Sequence, residues 1–262
     1  MGRNSSISWT DATWNIAVGC SKVDEDCKFC YMYRDGKRYG YDPREIRKTK
    51  TVFNLPLKIK EPSRIFTSSL TDVFHPAIDS FRDEMWEIIR QCPHHTFQVL
   101  TKRPERIIEC LPQSLYEWMK IYNSIWLGTS TGSNESIQRV RDLIRVTLIY
   151  PTKVAFLSAE PLWGPIDLTV PYDEELAETK IIELLQWVII GGESGNETGM
   201  YRYRPCKLEW IESIVDQCKQ YGVPVFVKQL GTHLAKEMDL KDRHGGDIDE
   251  WPEHLRIREF PK

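Results

Sequence analysis

The stretch KVAFLSAEP, residues 153–161, shows the pattern on which the fold of this chain depends. Hydrophobic residues run as far as Leu157, and the polar residues Ser158 and Glu160 follow almost at once. A short apolar run that ends in polar residues and proline is typical of a buried β-strand leading into a loop. Five other stretches share this pattern: RIFTSSL (64–70), TFQVLTKRP (96–104), SIWLGTST (124–131), WVIIGGESG (187–195) and PVFVKQLG (224–231).

Helical patterns, with apolar residues at three- and four-residue spacing, lie between most of these strands. They cover residues 78–92, 104–122, 134–146 and 207–222, and Pro112 should break the second. Strands that alternate with helices are parallel strands joined by crossovers. A complete eight-stranded barrel uses about 250 residues, whereas this chain leaves room for about six units. We therefore expect an α/β fold, a partial (β/α) barrel of about six parallel strands.

We expect residues 1–262 to form a single domain, because no repeat, low-complexity segment or linker divides the chain. Residues 1–60 should be irregular and carry the clustered cysteines, and residues 233–262 should form a polar extension that folds back over the barrel. The chain has no run of eighteen apolar residues and no apolar secretion signal at its start. The expectation is a cytoplasmic protein with no membrane partner.

Polar residues follow each predicted strand, at the end where the chemistry of such barrels takes place. We expect them to form one polar pocket. They are Ser68, Ser69 and Asp72; Thr101, Lys102 and Arg103; Thr129 and Ser130; Ser158 and Glu160; Glu193 and Ser194; and Lys228 and Gln229.

Three of the seven cysteines, Cys20, Cys27 and Cys30, lie within eleven residues, and the other four are scattered singly. An odd number of cysteines in a chain without an export signal argues against a disulfide framework. Structural zinc takes four ligands, and no fourth cysteine or histidine is adjacent in sequence. Three thiolates instead suit an iron–sulfur cluster that keeps one iron open for a further ligand.

The cysteine loop, with Phe29 directly before Cys30, resembles the cluster motif of radical S-adenosylmethionine enzymes. Nearly the whole chain resembles a phage-associated family of unknown function with radical-S-adenosylmethionine-like architecture. The blocks that carry this resemblance are WNIAVGCSKVDEDCKFCY (14–31), DVFHPAI (72–78), TFQVLTKRPER (96–106), WLGTST (126–131), LSAEPLWGPIDL (157–168), WVIIGGESG (187–195), VPVFVKQLG (223–231) and HGGDIDEWPEHLRIREFP (244–261).

The resemblance implies that the three cysteines hold a [4Fe–4S] cluster and that S-adenosylmethionine is the second cofactor. It also implies an external electron donor and a substrate that loses a hydrogen atom. The chain departs from the wider superfamily in two ways. Six residues rather than three separate the first two cysteines, and the Gly191–Glu193 motif ends a late strand. The strand end at Ser68–Asp72 occupies the place from which the cofactor's amino group would be bound.

The candidate site residues follow from the strand ends and the resemblance together. The candidate catalytic residues are Lys102, Glu160 and Lys228; the candidate cofactor-binding residues are Ser68, Ser69, Asp72, Thr129 and Glu193; the candidate metal ligands are Cys20, Cys27 and Cys30.

Two other interpretations of the cysteine loop remain open. One is a zinc-stabilised nucleic-acid-binding module in which His75 or Cys206 completes the site, and the other is a catalytically inactive iron–sulfur protein. Residues 34–64 contain ten lysines and arginines against four acidic residues, interleaved with aromatic residues. Such a segment is either a solvated face or a contact for nucleic acid, so a nucleotide or nucleic acid is a candidate substrate.

Overall fold

The computed structural model describes residues 5–112, 114–173 and 178–262. Its strands are β1 (Ala12–Thr13), β2 (Ala17–Val18), β3 (Arg47–Lys48), β4 (Arg64–Thr67), β5 (Thr96–Thr101), β6 (Ile125–Ser130), β7 (Val154–Leu162), β8 (Trp187–Gly192) and β9 (Val225–Gln229). Seven of them form a parallel sheet in the order β1-β4-β5-β6-β7-β8-β9, which curls into a half-barrel. The remaining two, β2 and β3, pair antiparallel in a small separate sheet.

Helices lie between the strands and after the last of them. They are α1 (Tyr31–Tyr39), α2 (Arg82–Gln91), α3 (Ile107–Cys110), α4 (Leu115–Met119), α5 (Gln138–Ile149), α6 (Leu208–Tyr221) and α7 (Thr232–Glu237). Each predicted helical stretch overlaps at least one of them, and α5 continues three residues beyond the predicted end at 146. The stretch at 104–122 is broken around Pro112 as expected, and its residue Gln113 lies outside the described residues. The stretch at 78–92 begins instead with a 3₁₀ segment, Pro76–Phe81, before α2.

The two faces of the sheet differ in what they bury. Outward-facing residues such as Phe97 and Val99 of β5 pack with the surrounding helices in an aliphatic and aromatic core. Inward-facing residues of neighbouring strands, including Phe66, Trp126 and Phe156, form a separate cluster inside the half-barrel. Because side chains alternate between faces along a strand, burial on both sides explains why the strands are almost continuously hydrophobic.

The inner cluster closes the half-barrel at the end where the strands begin. Trp187 lies at its centre, with its ring 5.5 Å from that of Trp126 and 6.1 Å from that of Phe226. Gly128 leaves space for this packing, since a Cβ atom there would lie 2.4 Å from the ring of Phe156. The opposite end is left open for polar side chains.

The sheet differs from the expectation by one strand. The N-terminal segment contributes β1, a two-residue strand paired with β4, so the sheet has one strand more than the six predicted stretches. The C-terminal segment folds back against the half-barrel. Its last residues pair with the edge of β9, and the ring of Phe260 lies 5.4 Å from that of Trp187 at the closed end.

None of the helices in the described ranges is both long and apolar enough to cross a lipid bilayer.

Candidate functional site

The open end of the half-barrel contains a cavity of about 600 Å³, a size common for small-molecule sites. Ten of the eleven candidate site residues line it: Cys20, Cys27, Cys30, Ser68, Ser69, Asp72, Lys102, Glu160, Glu193 and Lys228. Aromatic residues share the wall, among them Trp9, Phe29, Tyr31 and Tyr201. The strand ends and the cysteine loop, which are far apart in sequence, therefore meet in one place.

The alternation along the strands explains why this end is polar. On β7, Phe156 faces the aromatic cluster, and two steps further along the same face Ser158 and then Glu160 line the cavity. On β9, Phe226 and Lys228 are related in the same way. On both strands the inward face thus changes from aromatic to polar toward the open end of the half-barrel.

Thr129 is the one candidate that does not line the cavity. Its side chain is fully buried, and its hydroxyl donates a hydrogen bond of 3.0 Å to the carbonyl oxygen of Thr101 on β5. This contact ties β5 to β6, so Thr129 supports the wall of the cavity rather than contacting what the cavity holds.

The three clustered cysteines follow β1 and β2 and lie at the mouth of the cavity. Each is partly exposed, in contrast to the four scattered cysteines, which are buried. Burial raises the pKa of the Cys20 and Cys30 thiols, and the neighbouring Cys27 raises both further. In the described part of the chain no three cysteine, histidine or carboxylate side chains converge on one metal position. The cysteines share a cavity, and the chemistry of the set fits an iron–sulfur cluster, but the side chains would have to turn toward one another to bind one.

A buried ion pair fixes the cysteine loop to the half-barrel. Asp26 lies between the first two cysteines and is 4% exposed. Its carboxylate accepts hydrogen bonds from Arg139 Nη1 at 2.7 Å, Trp163 Nε1 at 2.6 Å and Ser136 Oγ at 2.8 Å. Arg139 also pairs with Asp24 in the same loop. The loop is therefore held in place by α5 and by the loop that follows β7.

A second buried pair connects the strand ends to Cys20. Asp72 accepts hydrogen bonds from the Thr101 hydroxyl at 2.8 Å and from Arg103 Nη1 at 3.2 Å. The same Nη1 atom lies 3.8 Å from Cys20 Sγ, and Nη2 donates to the carbonyl oxygen of Ser21 at 2.9 Å. Asp72 thus has several protein donors, and it orients a guanidinium against a candidate metal ligand.

Asn15 organises the loop that contains Ser68 and Ser69. Its side-chain oxygen accepts hydrogen bonds from Ser68 Oγ at 2.6 Å, from the Ser69 amide at 2.8 Å and from the Leu70 amide at 2.8 Å. Asn15 is 1% exposed, so this buried amide fixes the position of the loop. The Tyr31 hydroxyl donates to the Ser69 carbonyl oxygen from the cysteine side of the cavity.

The other two carboxylates of the cavity also have cationic partners. Glu160 pairs with Lys228, so two candidate catalytic residues form one ion pair across the cavity. Glu193 is held by Arg204, whose Nε and Nη2 each donate at 2.8 Å to a different carboxylate oxygen. Arg204 also donates to the carbonyl oxygen of Glu25 in the cysteine loop. Glu193 therefore supports the loop through Arg204.

Lys102 differs from the other charged residues of the cavity. It is partly exposed, and its ammonium group has no hydrogen-bond or ion-pair partner among the residues that the structure describes. Its positive charge lowers the pKa of Cys30, against the larger effect of burial. Lys102 is accordingly a cation available to a ligand beside the cysteines.

Neither of the two candidates for a fourth zinc ligand, His75 and Cys206, is free to join the clustered cysteines. His75 Nδ1 accepts from the Ala77 amide at 3.1 Å, so Nε2 carries the proton and donates to Ser21 Oγ at 2.9 Å. Burial and the nearby Arg103 guanidinium lower the pKa of this imidazole. Cys206 is fully buried in the hydrophobic core, away from the cavity lining, and burial raises the pKa of its thiol to about 12.

The basic segment at 34–64 lies partly on α1 and partly on β3, and several of its cations already have partners. Arg47 stacks on Tyr41 with 4.9 Å to the ring centroid, and Lys48 pairs with Glu84 at 2.5 Å. Arg34 stacks on Tyr201 at 4.3 Å, at the rim of the cavity. The segment also contacts the candidate site through its main chain, since the Cys20 amide donates to the carbonyl oxygen of Pro43 at 2.8 Å.

Most residues that hold the site together were not predicted from the sequence. Asn15, Asp26, Arg139 and Arg204 carry no local signal of their roles, because each acts on a partner that only the folded chain brings near. The sequence offered one clue to these roles, which is the position of Asp26 between two of the clustered cysteines.

The model of one protein family matches residues 4–253, almost the full length of the chain. The chain belongs to this family. It is described as "Protein of unknown function (DUF5131)". No curated protein matches the chain. The family match covers the cysteine loop, all nine strands and the cavity, so the candidate site lies within the family's domain.

Proposed function

We propose that this member of the family is a radical S-adenosylmethionine enzyme, with Cys20, Cys27 and Cys30 holding a [4Fe–4S] cluster. The observation that carries the proposal is the position of these cysteines, which are partly exposed and line one cavity together with the polar strand ends. Three thiolates leave one iron of such a cluster open. On the sequence blocks quoted above, we further propose the radical-S-adenosylmethionine-like, phage-associated affiliation and a cytoplasmic location with an external one-electron donor.

When bound, the cluster and S-adenosylmethionine would supply reductive cleavage of the sulfonium and hence abstraction of a hydrogen atom from the substrate. The chain supplies orientation and exclusion of water. Asp26 and Arg139 fix the loop that carries the ligands. Arg103 presents a positive charge to Cys20, and a cation beside a thiolate ligand stabilises its negative charge. The aromatic cluster closes the other end of the half-barrel.

A closed zinc site receives less support, because His75 has both ring nitrogens engaged and Cys206 lies in the core. Without a fourth protein ligand the three cysteines do not complete the tetrahedron of structural zinc. An inactive iron–sulfur protein has the same ligands as the proposed enzyme, so it must be distinguished by assaying turnover.

The test is anaerobic reconstitution of the full chain with iron and sulfide, followed by dithionite and S-adenosylmethionine. We expect the visible absorbance of a thiolate-bound cluster and release of deoxyadenosine. A colourless protein that retains zinc would overturn the proposal. A coloured protein that leaves the cofactor intact would indicate the inactive alternative.

The ligand assignment is tested by Cys27→Ala, with Cys110→Ala as the matched control. Cys110 is buried in the helical core and does not line the cavity. We expect Cys27→Ala to lose most of the bound iron and Cys110→Ala to retain it, as measured by iron and sulfide analysis. Equal iron content in the two variants would refute the assignment.

A further inference from the structure

One cation of the cavity wall lacks an acidic partner among the described residues. Four carboxylates line the cavity, and each is paired with a cation: Asp26 with Arg139, Asp72 with Arg103, Glu160 with Lys228 and Glu193 with Arg204, although Arg139 also pairs with Asp24. Lys102 also lines the cavity, and its ammonium group has no acidic partner in the described part of the chain. The ammonium group of Lys102 is therefore a local positive charge in the cavity wall that is available to an anionic ligand.

A second cation without an acidic partner lies at the rim. Arg202 is exposed, and its guanidinium stacks over the ring of Phe29 with 4.6 Å to the centroid. No carboxylate in the described ranges pairs with Arg202. Phe29 itself lines the cavity. The rim therefore adds positive charge and an aromatic face to a molecule whose overall charge is −3.

We propose that the substrate of this cavity is a nucleotide, with its phosphate bound by Lys102 and its base lying among the aromatic side chains of the wall. The proposal rests on the proposed function, because it names the substrate class of the same site. An unpaired lysine ammonium group in a partly buried cavity binds a phosphate through charge-assisted hydrogen bonds. Aromatic side chains beside it provide stacking surfaces for a planar base.

The test compares thymidine monophosphate with thymidine in calorimetric titrations of the full chain, both as purified and after reconstitution with S-adenosylmethionine. A pyrimidine nucleotide avoids competition for any site that recognises the adenine of the cofactor. We expect the monophosphate to bind at least about 10-fold more tightly than the nucleoside, since a charge-assisted contact to phosphate contributes that much.

Lys102→Gln should remove this preference, so that both ligands bind with the weaker affinity, and Lys102→Arg should restore most of it. The ammonium group of Lys102 has no partner to lose among the described residues, and thermal unfolding of the variants checks that the fold is intact. Lys153→Gln is the matched control, because Lys153 is exposed and precedes β7 at the opposite end of the half-barrel. It should bind both ligands as the unmodified chain does.

Three outcomes would overturn the proposal. One is a chain that binds neither ligand, or binds both equally, in both forms. Another is Lys102→Gln that retains the preference for the phosphate. The third is Lys102→Gln that weakens S-adenosylmethionine but not the nucleotide, which would make Lys102 a contact of the cofactor. Titration of the chain as purified needs neither cluster nor reductant. A failure to bind the nucleotide can therefore be told apart from a failure to release deoxyadenosine.

Discussion

At the scale of single residues, the contacts of Asp72 make it the most sensitive charged position of the cavity wall. Its carboxylate accepts hydrogen bonds from Thr101, Lys102 and Arg103, and its side chain is only 8% exposed. Asp72→Asn would turn an amide donor toward these donors and leave the Arg103 guanidinium without its counter-charge. We expect a loss of about 3 kcal/mol in the free energy of unfolding, measured by denaturant titration.

Asp79→Asn is the control for this prediction. Asp79 also pairs with arginines, Arg82 and Arg106, but its side chain is 49% exposed. Solvent weakens such pairs, so the expected loss is about 1 kcal/mol or less. Equal losses for the two variants would contradict the importance assigned to burial of the Asp72 pair.

At the scale of elements, the cysteine loop depends on α5 for its position. Asp26→Asn removes the negative charge that Arg139 holds at 2.7 Å and leaves a buried arginine with only the exposed Asp24 as an acidic partner. We expect hydrogen exchange of the amides at residues 20–30 to accelerate at least about 10-fold, because local opening becomes easier by more than 1.4 kcal/mol. Iron retention after reconstitution should fall with it.

The comparison variant is Glu25→Gln in the same loop. Glu25 forms an exposed pair with Lys28, and its link to Arg204 uses the main-chain oxygen, which the substitution preserves. Exchange of the loop amides should therefore remain close to that of the unmodified chain. Faster exchange in Glu25→Gln than in Asp26→Asn would show that the buried pair does not hold the loop.

At the scale of the whole molecule, the two ends of the half-barrel should respond separately to substitution. Phe260 packs against Trp187 and Phe226 at the closed end, and the main chain beside it pairs with the edge of β9. Phe260→Ala should reduce the free energy of unfolding by about 2 kcal/mol and shift the tryptophan fluorescence to longer wavelength as water reaches Trp187.

The cavity at the open end should be unaffected by this change, so the alkylation rate of the three cavity thiols should stay constant. Phe260→Leu, which retains most of the buried volume, should show a smaller loss of stability. A large change in thiol reactivity would indicate that the two ends are coupled through the aromatic cluster.

Much of the fold could be predicted from the sequence because the strands carry a local signal. KVAFLSAEP and its five counterparts predicted β4 to β9, and each structural strand lies within its predicted stretch, apart from Leu162 at the end of β7. The two-residue strand β1 was missed, since so short a strand exists only through its pairing with Ile65 and Phe66.

The sequence by itself determined the strand and helix pattern, the gathering of polar strand ends at one mouth and the grouping of the three cysteines, because each depends on residues that are neighbours or follow a fixed period. Only the tertiary structure decided which charges pair. Asp26 and Arg139 are separated by 113 positions, and Glu193 meets Arg204 through a loop. Ion pairs depend on distances of a few ångströms that loops set after folding, and those pairings are what leave Lys102 as the unpaired cation within the described cavity.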